Sequence, residues 1–388
     1  MNNSFSILTI LFVILLTSCN KKQETNTDVF FEKQKTITVP MTQKGHRYGY
    51  FVENGEEKFY SFNSTIYRFE FYDKTGNVID SFPNAKGNLF IVKSRDSILG
   101  IDYNNNNLIT HWNSQGDIIK EYNIQKLTNQ DTLISYLFTY NPMSFGKTLY
   151  TETKLNSRKF RELKMSREER IKKAKLSPLF ATLTDDSVYF AKDLTFSKAE
   201  EISGKNSEDI GIDYASLAIM DKHIIYTIKF NNQLFIFDKD GNYEKSVIIN
   251  SDYTNTDVNK GFSFYDHYNQ NKEDLSLYEL TYSYASQINN TIYNPVTKHL
   301  YVLLIHQTDI TNPNERRFKR TNRDFSILVY DTDFNKIAEQ KFSGRRYNLY
   351  NSTMYISPEG YLLIDSNHEL NEDFNPNTIQ YDVFKEIN

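Results

Sequence analysis

Four times in this chain an apolar-rich strand runs into a five-residue polar turn and out again into a second strand. The turns are Asp73-Lys-Thr-Gly76-Asn77, Asn113-Ser-Gln-Gly116-Asp117, Asp238-Lys-Asp-Gly241-Asn242 and Asp331-Thr-Asp-Phe334-Asn335. The strands before them span 65–72, 107–112, 233–237 and 325–330, and those after them 78–82, 118–122, 243–247 and 336–340. Asp or Asn at the first position can accept hydrogen bonds from its own backbone two residues on, and Gly at the fourth supplies a positive φ without steric penalty. That combination specifies a type I turn with a G1 bulge, a common hairpin connection. Phe334 stands where the other copies carry Gly, so the fourth turn is expected to take a different path.

The interval between turns selects the architecture. The first two begin 40 residues apart, the next gap is 125 and the last is 93, about one, three and two periods of a four-stranded propeller blade. One unit reads nearly whole: strands at 89–92, 97–102, 108–112 and 118–122. A meander of this kind buries only part of its surface alone, and stacking such sheets around an axis covers both faces. Further strands at 223–230, 299–305, 354–356 and 361–365 fit the scheme, and 28 Tyr and 28 Phe against 14 Gly and 8 Pro favour strands. The fold expected is therefore all-β, a propeller of six or seven four-stranded blades. Six is favoured, closed by N- and C-terminal strands that share one blade. Two sandwiches or a solenoid of similar hairpins form the alternative. Two stretches interrupt the pattern. Residues 154–177 hold ten Lys/Arg against three Glu, a basic insertion in which Ser166 and Glu169 form a capping box and Ser177-Pro178 a stop, so a short helix is expected over 167–176. Residues 251–287 are rich in Tyr and Asn and read as a long loop or an elongated outer strand.

The N-terminus carries a different kind of signal. Phe5 to Leu16 is almost unbroken apolar sequence, too short to cross a hydrocarbon core that needs about 20 residues, and Thr17-Ser18-Cys19 follows it. Residues 1–18 therefore read as a secretory signal peptide. Leu16-Thr17-Ser18-Cys19 resembles the lipobox of bacterial lipoproteins, in which the Cys is acylated and becomes the new N-terminus; Asn2-Asn3-Ser4 departs from the usual charged start. Cys19 is the only cysteine in 388 residues, so no intrachain disulfide can form and a lipidation role accounts for it. The alternative is an ordinary cleaved signal with an incidental Cys. One acyl chain binds membranes only marginally, whereas several make release negligible. Residues 19–34 read as a polar tether and 35–388 as the propeller domain.

The C-terminal third resembles a family of uncharacterised Gram-negative lipoproteins, known only as a domain of unknown function and described as six-bladed-propeller-like. The likeness rests on Asn294–Val302, Phe325–Glu339 and Tyr355–Tyr361, together with the lipobox. These motifs are structural. The resemblance implies a fold and an envelope location, and brings no catalytic residues.

No cluster of catalytic residues is visible. The seven His are scattered; His299 and His306 lie in one strand at an odd separation, on opposite faces, which argues against a shared metal. No His-Glu-x-x-His, Gly-x-Ser-x-Gly or phosphate-binding Gly loop is present. Asp238-Lys-Asp240-Gly-Asn242 hints at calcium but lacks the further ligands an EF-hand loop needs, and the hairpin explains it. Asp96-Ser-Ile, Asp131-Thr-Leu and Asp186-Ser-Val resemble an O-glycosylation sequon of some envelope proteins, but strand starts after a turn are the preferred account. The Tyr-rich stretch (Tyr265, Tyr268, Tyr278, Tyr282, Tyr284) offers flat faces for sugar stacking or for packing between blades. The basic stretch offers charge to anionic lipid headgroups, but its apolar stripe (Phe160, Leu163, Ile171, Ala174) is thin, which favours a solvated surface insertion. A net charge of −4 gives no ground for a nucleic-acid partner. The expectation is an envelope lipoprotein, anchored to the outer membrane with its domain periplasmic or surface-facing. Its propeller would bind a protein or carbohydrate ligand without a cofactor or metal; a hydrolase or lyase acting on glycans or small envelope molecules is the rival.

Overall fold

The computed structural model describes residues 29–42, 47–83, 89–102, 105–123, 134–137, 143–145, 148–155, 179–183, 188–190, 194–203, 215–229, 231–256, 285–308, 322–349 and 354–387, with single positions at 164, 166, 169, 172 and 176. Strand β1 (Phe31–Pro40) opens the described chain. A first blade follows, built from β2 (Arg47–Glu53), β3 (Glu56–Asn63), β4 (Arg68–Tyr72) and β5 (Val78–Phe82), and then a second from β6 (Leu89–Ser94), β7 (Ser97–Asp102), β8 (Asn105–Trp112) and β9 (Ile118–Asn123). Next comes a sheet of β10 (Ile134–Leu137), β11 (Met143–Phe145), β12 (Thr148–Leu155), β13 (Phe180–Leu183) and β14 (Val188–Phe190). After helix α1 (Phe196–Ser203), two blades comprise β15 (Ala215–Met220), β16 (His223–Ile228), β17 (Gln233–Asp238) and β18 (Tyr243–Ile248), then β19 (Gln287–Asn294), β20 (His299–Ile305), β21 (Phe325–Tyr330) and β22 (Lys336–Phe342). Strands β23 (Met354–Ile356), β24 (Leu362–Asp365) and β25 (Thr378–Glu386) complete the chain.

The molecule is an all-β propeller of antiparallel blades. Five sheets have four strands, in the orders β2-β3-β4-β5, β6-β7-β8-β9, β15-β16-β17-β18, β19-β20-β21-β22 and β1-β25-β24-β23. The expectation of six or seven four-stranded blades needs correction: the remaining sheet has five strands, because β12 pairs β10 along one part of its length and β11 along another. The sequence there carries no Gly turn of the repeating kind; the extra strand is joined through Gly146-Lys147 instead. First strands lie innermost, with β2 against β6, β15 against β19 and β19 against β23.

The last sheet closes the ring as expected, with N-terminal β1 paired antiparallel to C-terminal β25 from Phe31 opposite Glu386 to Pro40 opposite Thr378. Because β1 starts at Phe31, the sheet takes up the end of the stretch read as tether. The signal peptide, Cys19 and the rest of that tether lie outside the described residues. So do most of the basic stretch and the Tyr-rich stretch. Within the former, Lys154 and Leu155 belong to β12, and the capping box is present, the Ser166 N–H donating to Glu169 Oε2 (2.8 Å) and the Glu169 N–H to Ser166 Oγ (3.2 Å). Among the described residues no helix is long and apolar enough to cross a membrane.

Aromatic side chains fill the spaces between blades. Phe51, Phe62, Phe69, Phe71, Phe82 and Trp112 form one buried cluster between the first and second blades, with Phe69 stacked on Phe82 at 5.2 Å. Burying each such ring stabilises by about 1.5–3 kcal/mol.

All four repeated turns have one geometry. In each, the first residue's carbonyl accepts from the fourth N–H and its own N–H donates to the fifth carbonyl: Gly76 to Asp73, Gly116 to Asn113, Gly241 to Asp238 and Phe334 to Asp331, all at 3.1 Å. The expected exception at Phe334 does not occur. Its φ is 69°, beside 87°, 81° and 81° at the three glycines. A left-handed backbone at an L-residue costs about 1–2 kcal/mol. The offsetting term is burial: the ring is 4 % exposed, meets His223 edge-on at 5.6 Å and lies under Lys245 Nζ at 4.9 Å. Deleting a buried Phe ring costs about 3–5 kcal/mol, so Phe334→Gly is expected to destabilise by a net ~2 kcal/mol despite the relieved backbone, measured by urea unfolding. A stability gain would contradict this account of the turn.

Candidate functional site

The seam where the closing blade meets the first blade gathers the polar groups least explained by packing. Alternation along β2 sends Tyr48 and Tyr50 toward the closing blade and Gly49 toward the second. Gly49 sits directly opposite Tyr60 of β3, and a Cβ at this position would lie 2.6 Å from the Tyr60 ring and hydroxyl. The absent side chain lets the Tyr60 phenol lie across the innermost strand and hydrogen-bond with Tyr355 of β23, the innermost strand of the closing blade. Tyr355 in turn packs on Tyr50 at 5.4 Å and edge-on against Tyr381 of β25 at 5.6 Å.

Asp365, the last residue of β24, lies among these phenols. It is 1 % exposed and directly opposite Tyr381 in the ladder. The Tyr48 hydroxyl donates to its Oδ2 (2.8 Å), the Asn367 backbone N–H to its Oδ1 (2.9 Å), and the Asn348 side chain supplies a further hydrogen bond. No cation is among these partners. Burial consequently pushes the carboxyl up to about 7, against the hydrogen bonds that favour its charged form. Burial, reinforced by the Asp365 charge, likewise raises Tyr48 well above the usual phenol range, and burial raises Tyr60 to about 12. The buried Tyr381 hydroxyl has no hydrogen-bond partner among the described residues.

The opposite face of the same blade gives the contrast. Asp382 is also buried, but Arg346 Nε (2.6 Å) and Nη2 (3.1 Å), Lys33 Nζ (2.9 Å) and the Thr36 hydroxyl (2.7 Å) all donate to it. Burial alone would raise this carboxyl; the hydrogen bonds and the Arg346 charge hold it below its ordinary value. Lys33 and Thr36 belong to β1, so this node fastens the N-terminal strand to the ring.

Other polar groups have structural explanations. His306 Nε2 and Ser326 Oγ are 2.6 Å apart, the distance of a nucleophile and its base, but Ser326 is fully buried and burial lowers His306 to about 4. His299 lies at the other end of β20 and bonds Glu386 (2.9 Å). Asp238 spends Oδ1 on the N–H groups of Asp240 and Asn242 and Oδ2 on the Asn242 amide, which leaves it the turn residue it resembled. The Ser97 hydroxyl is engaged with His111 (2.9 Å). Among the described residues, no three His, Cys, Asp or Glu side chains are grouped to hold a metal ion. A cleft of about 590 Å³ opens between the β15–β18 and β19–β22 blades, lined by Asp221, Lys222, His223, Lys239 and Asp333 with Met220 and Thr332, charges of both signs in equal number.

The Tyr48–Asp365 constellation was not legible in the sequence, since its members are 317 residues apart. Only closure of the ring brings them together. The one available sign was Asp365 itself, an acid at the end of an otherwise apolar strand.

The fold has known counterparts. A member of the DUF4221 family from Bacteroides vulgatus superposes with a TM-score of 0.68 at 16 % identity, covering 92 % of this chain and 98 % of that one. A protein from Bacteroides fragilis described as exported gives 0.47 at 10 % identity, covering 94 % and 98 %. No family model and no curated protein matches the chain.

Proposed function

We propose that this chain is an envelope lipoprotein whose propeller binds a ligand at the closing seam without converting it. The observation that carries this reading is the make-up of the seam: phenols, carboxamides and backbone groups converge there on a single carboxyl. Hydrolysis of a glycosidic bond ordinarily needs two carboxyls across the scissile bond. One observation favours the rival reading of a hydrolase or lyase, namely that Asp365, raised to about 7, has the proton affinity of a general acid. The other acids of the seam, Glu57 and Glu359, act on Tyr50 and are not among the groups that shift Asp365. In the proposed ring the five-stranded sheet occupies the sixth place beside the five four-stranded blades. The likeness to the DUF4221 structure supports membership in an uncharacterised family of this kind, and the lipobox at Leu16–Cys19 supports outer-membrane anchoring through acylated Cys19.

Two measurements test the proposal. Purified full chain is incubated with a panel of neutral and acidic oligosaccharides while melting temperature and ligand mass are followed. A raised melting temperature with intact ligand is expected, and shortened products would favour the enzyme. Separately, palmitate labelling should mark the wild type and vanish in Cys19→Ala, which should also leave the membrane fraction. Equal labelling of both chains would remove the anchor from the account.

A further inference from the structure

We propose that the closing seam is a binding site for a small organic ammonium cation, held between the carboxylate of Asp365 and the ring faces of Tyr48, Tyr60 and Tyr355. This deepens the reading of the seam as a ligand site and rests on it.

Three observations lead here. The first is an imbalance of charge. A buried carboxyl is ordinarily paired with a cation, as Asp382 is on the other face of this blade, because an unpaired buried charge is strongly disfavoured. Asp365 has phenol, carboxamide and backbone donors only. An Asn would satisfy such a site at lower cost, so the acid is best explained by a countercharge from outside the chain.

The second is the surrounding chemistry. Aromatic faces attract cations through the ring quadrupole, and a cage of such rings is how proteins recognise quaternary ammonium groups. Tyr48 and Tyr60 from the first blade and Tyr355 and Tyr381 from the closing blade supply the rings. Of these, Tyr48 hydrogen-bonds Asp365 and Tyr381 feels its charge, while Tyr355 and Tyr60 act on those phenols; Asn348 comes from the connection before β23. Arg47 acts on Tyr60 from the face of β2 that it shares with Gly49, and its charge is not among those that shift Asp365.

The third is accessibility and unspent capacity. Tyr48, Tyr60 and Tyr355 are half-buried, whereas Asp365 is buried. Tyr381 completes the site with a buried hydroxyl that no described group satisfies.

The experiment titrates the full chain, in non-ionic detergent, with choline chloride by isothermal calorimetry against NaCl at matched ionic strength. Saturable binding is expected at pH 8.5. Roughly thirtyfold weaker binding is expected at pH 5.5, where a carboxyl of pKa about 7 is mostly protonated. Asp365→Asn should keep its circular-dichroism melting transition and lose choline binding. Tyr355→Phe, which keeps the ring, should bind, and Tyr355→Leu should not. No choline heat beyond that of NaCl at pH 8.5, or wild-type binding by Asp365→Asn, overturns the proposal. If oligosaccharides raise the melting temperature while choline gives no heat, the ammonium assignment fails and the seam survives as a ligand site.

Discussion

Replacing Asp382 with Ala is expected to cost the folded protein about 3–5 kcal/mol, because removing one member of a buried ion pair leaves its partners uncompensated. Arg346 and Lys33 both lose the carboxylate that holds them, and Thr36 loses its acceptor. Since about a third of each cation side chain reaches solvent, at 32 % for Arg346 and 39 % for Lys33, the lower end of that range is the better expectation. The effect should be read as a lower urea midpoint at pH 7 with an unchanged slope. A midpoint within experimental error of the wild type would mean that β1 is fastened by its ladder alone. The Asp382 carboxyl sits below its unfolded value in the native state, so its contribution is present above about pH 4 and fades as pH falls through the native value.

Asp365 should produce the opposite pH dependence from the same blade. Its folded value, about 7, lies above the ordinary carboxylate value near 4, so between those limits the native chain holds a proton that the unfolded chain has released. Stability from this group is full at low pH and is lost as pH rises through 7. Between pH 5 and pH 8 the loss amounts to about 3 kcal/mol, at 1.36 kcal/mol per unit. Asp365→Asn removes the titration. Subtracting the variant's stability from the wild type's across that range should therefore leave a falling curve of that size. A flat difference would show that Asp365 keeps its charge or is already solvated at neutral pH.

What could be read from the sequence was local. Asp73, Asn113 and Asp238 followed by Gly three residues on specify their turns through neighbouring backbone alone, and their spacing carried the blade period because each hairpin is one half of a blade. Ring closure by the two chain ends followed from the same period. Phe334 misled because φ > 0 at a bulky residue is unfavourable taken locally; burial between two blades outweighs it, and that burial depends on His223 and Lys245 some hundred residues away. The five-stranded sheet escaped because its turns lack the five-residue Asp/Asn-to-Gly pattern of the repeat, although Gly146-Lys147 stands between β11 and β12. The seam escaped for a deeper reason. Gly49 and Tyr60 are close enough in sequence to be guessed as partners, but Tyr355, Asp365 and Tyr381 join them only across the closure, and no pattern in one strand records what the far end of the chain brings to it.

The ring is shut by β1 lying on β25. Hydrogen-exchange mass spectrometry on the full chain and on a variant lacking residues 29–41 tests it most directly. Deletion is expected to strip protection from the amides of 378–386 and to weaken the protection of 47–53 across the seam. Unchanged protection in both segments would contradict it.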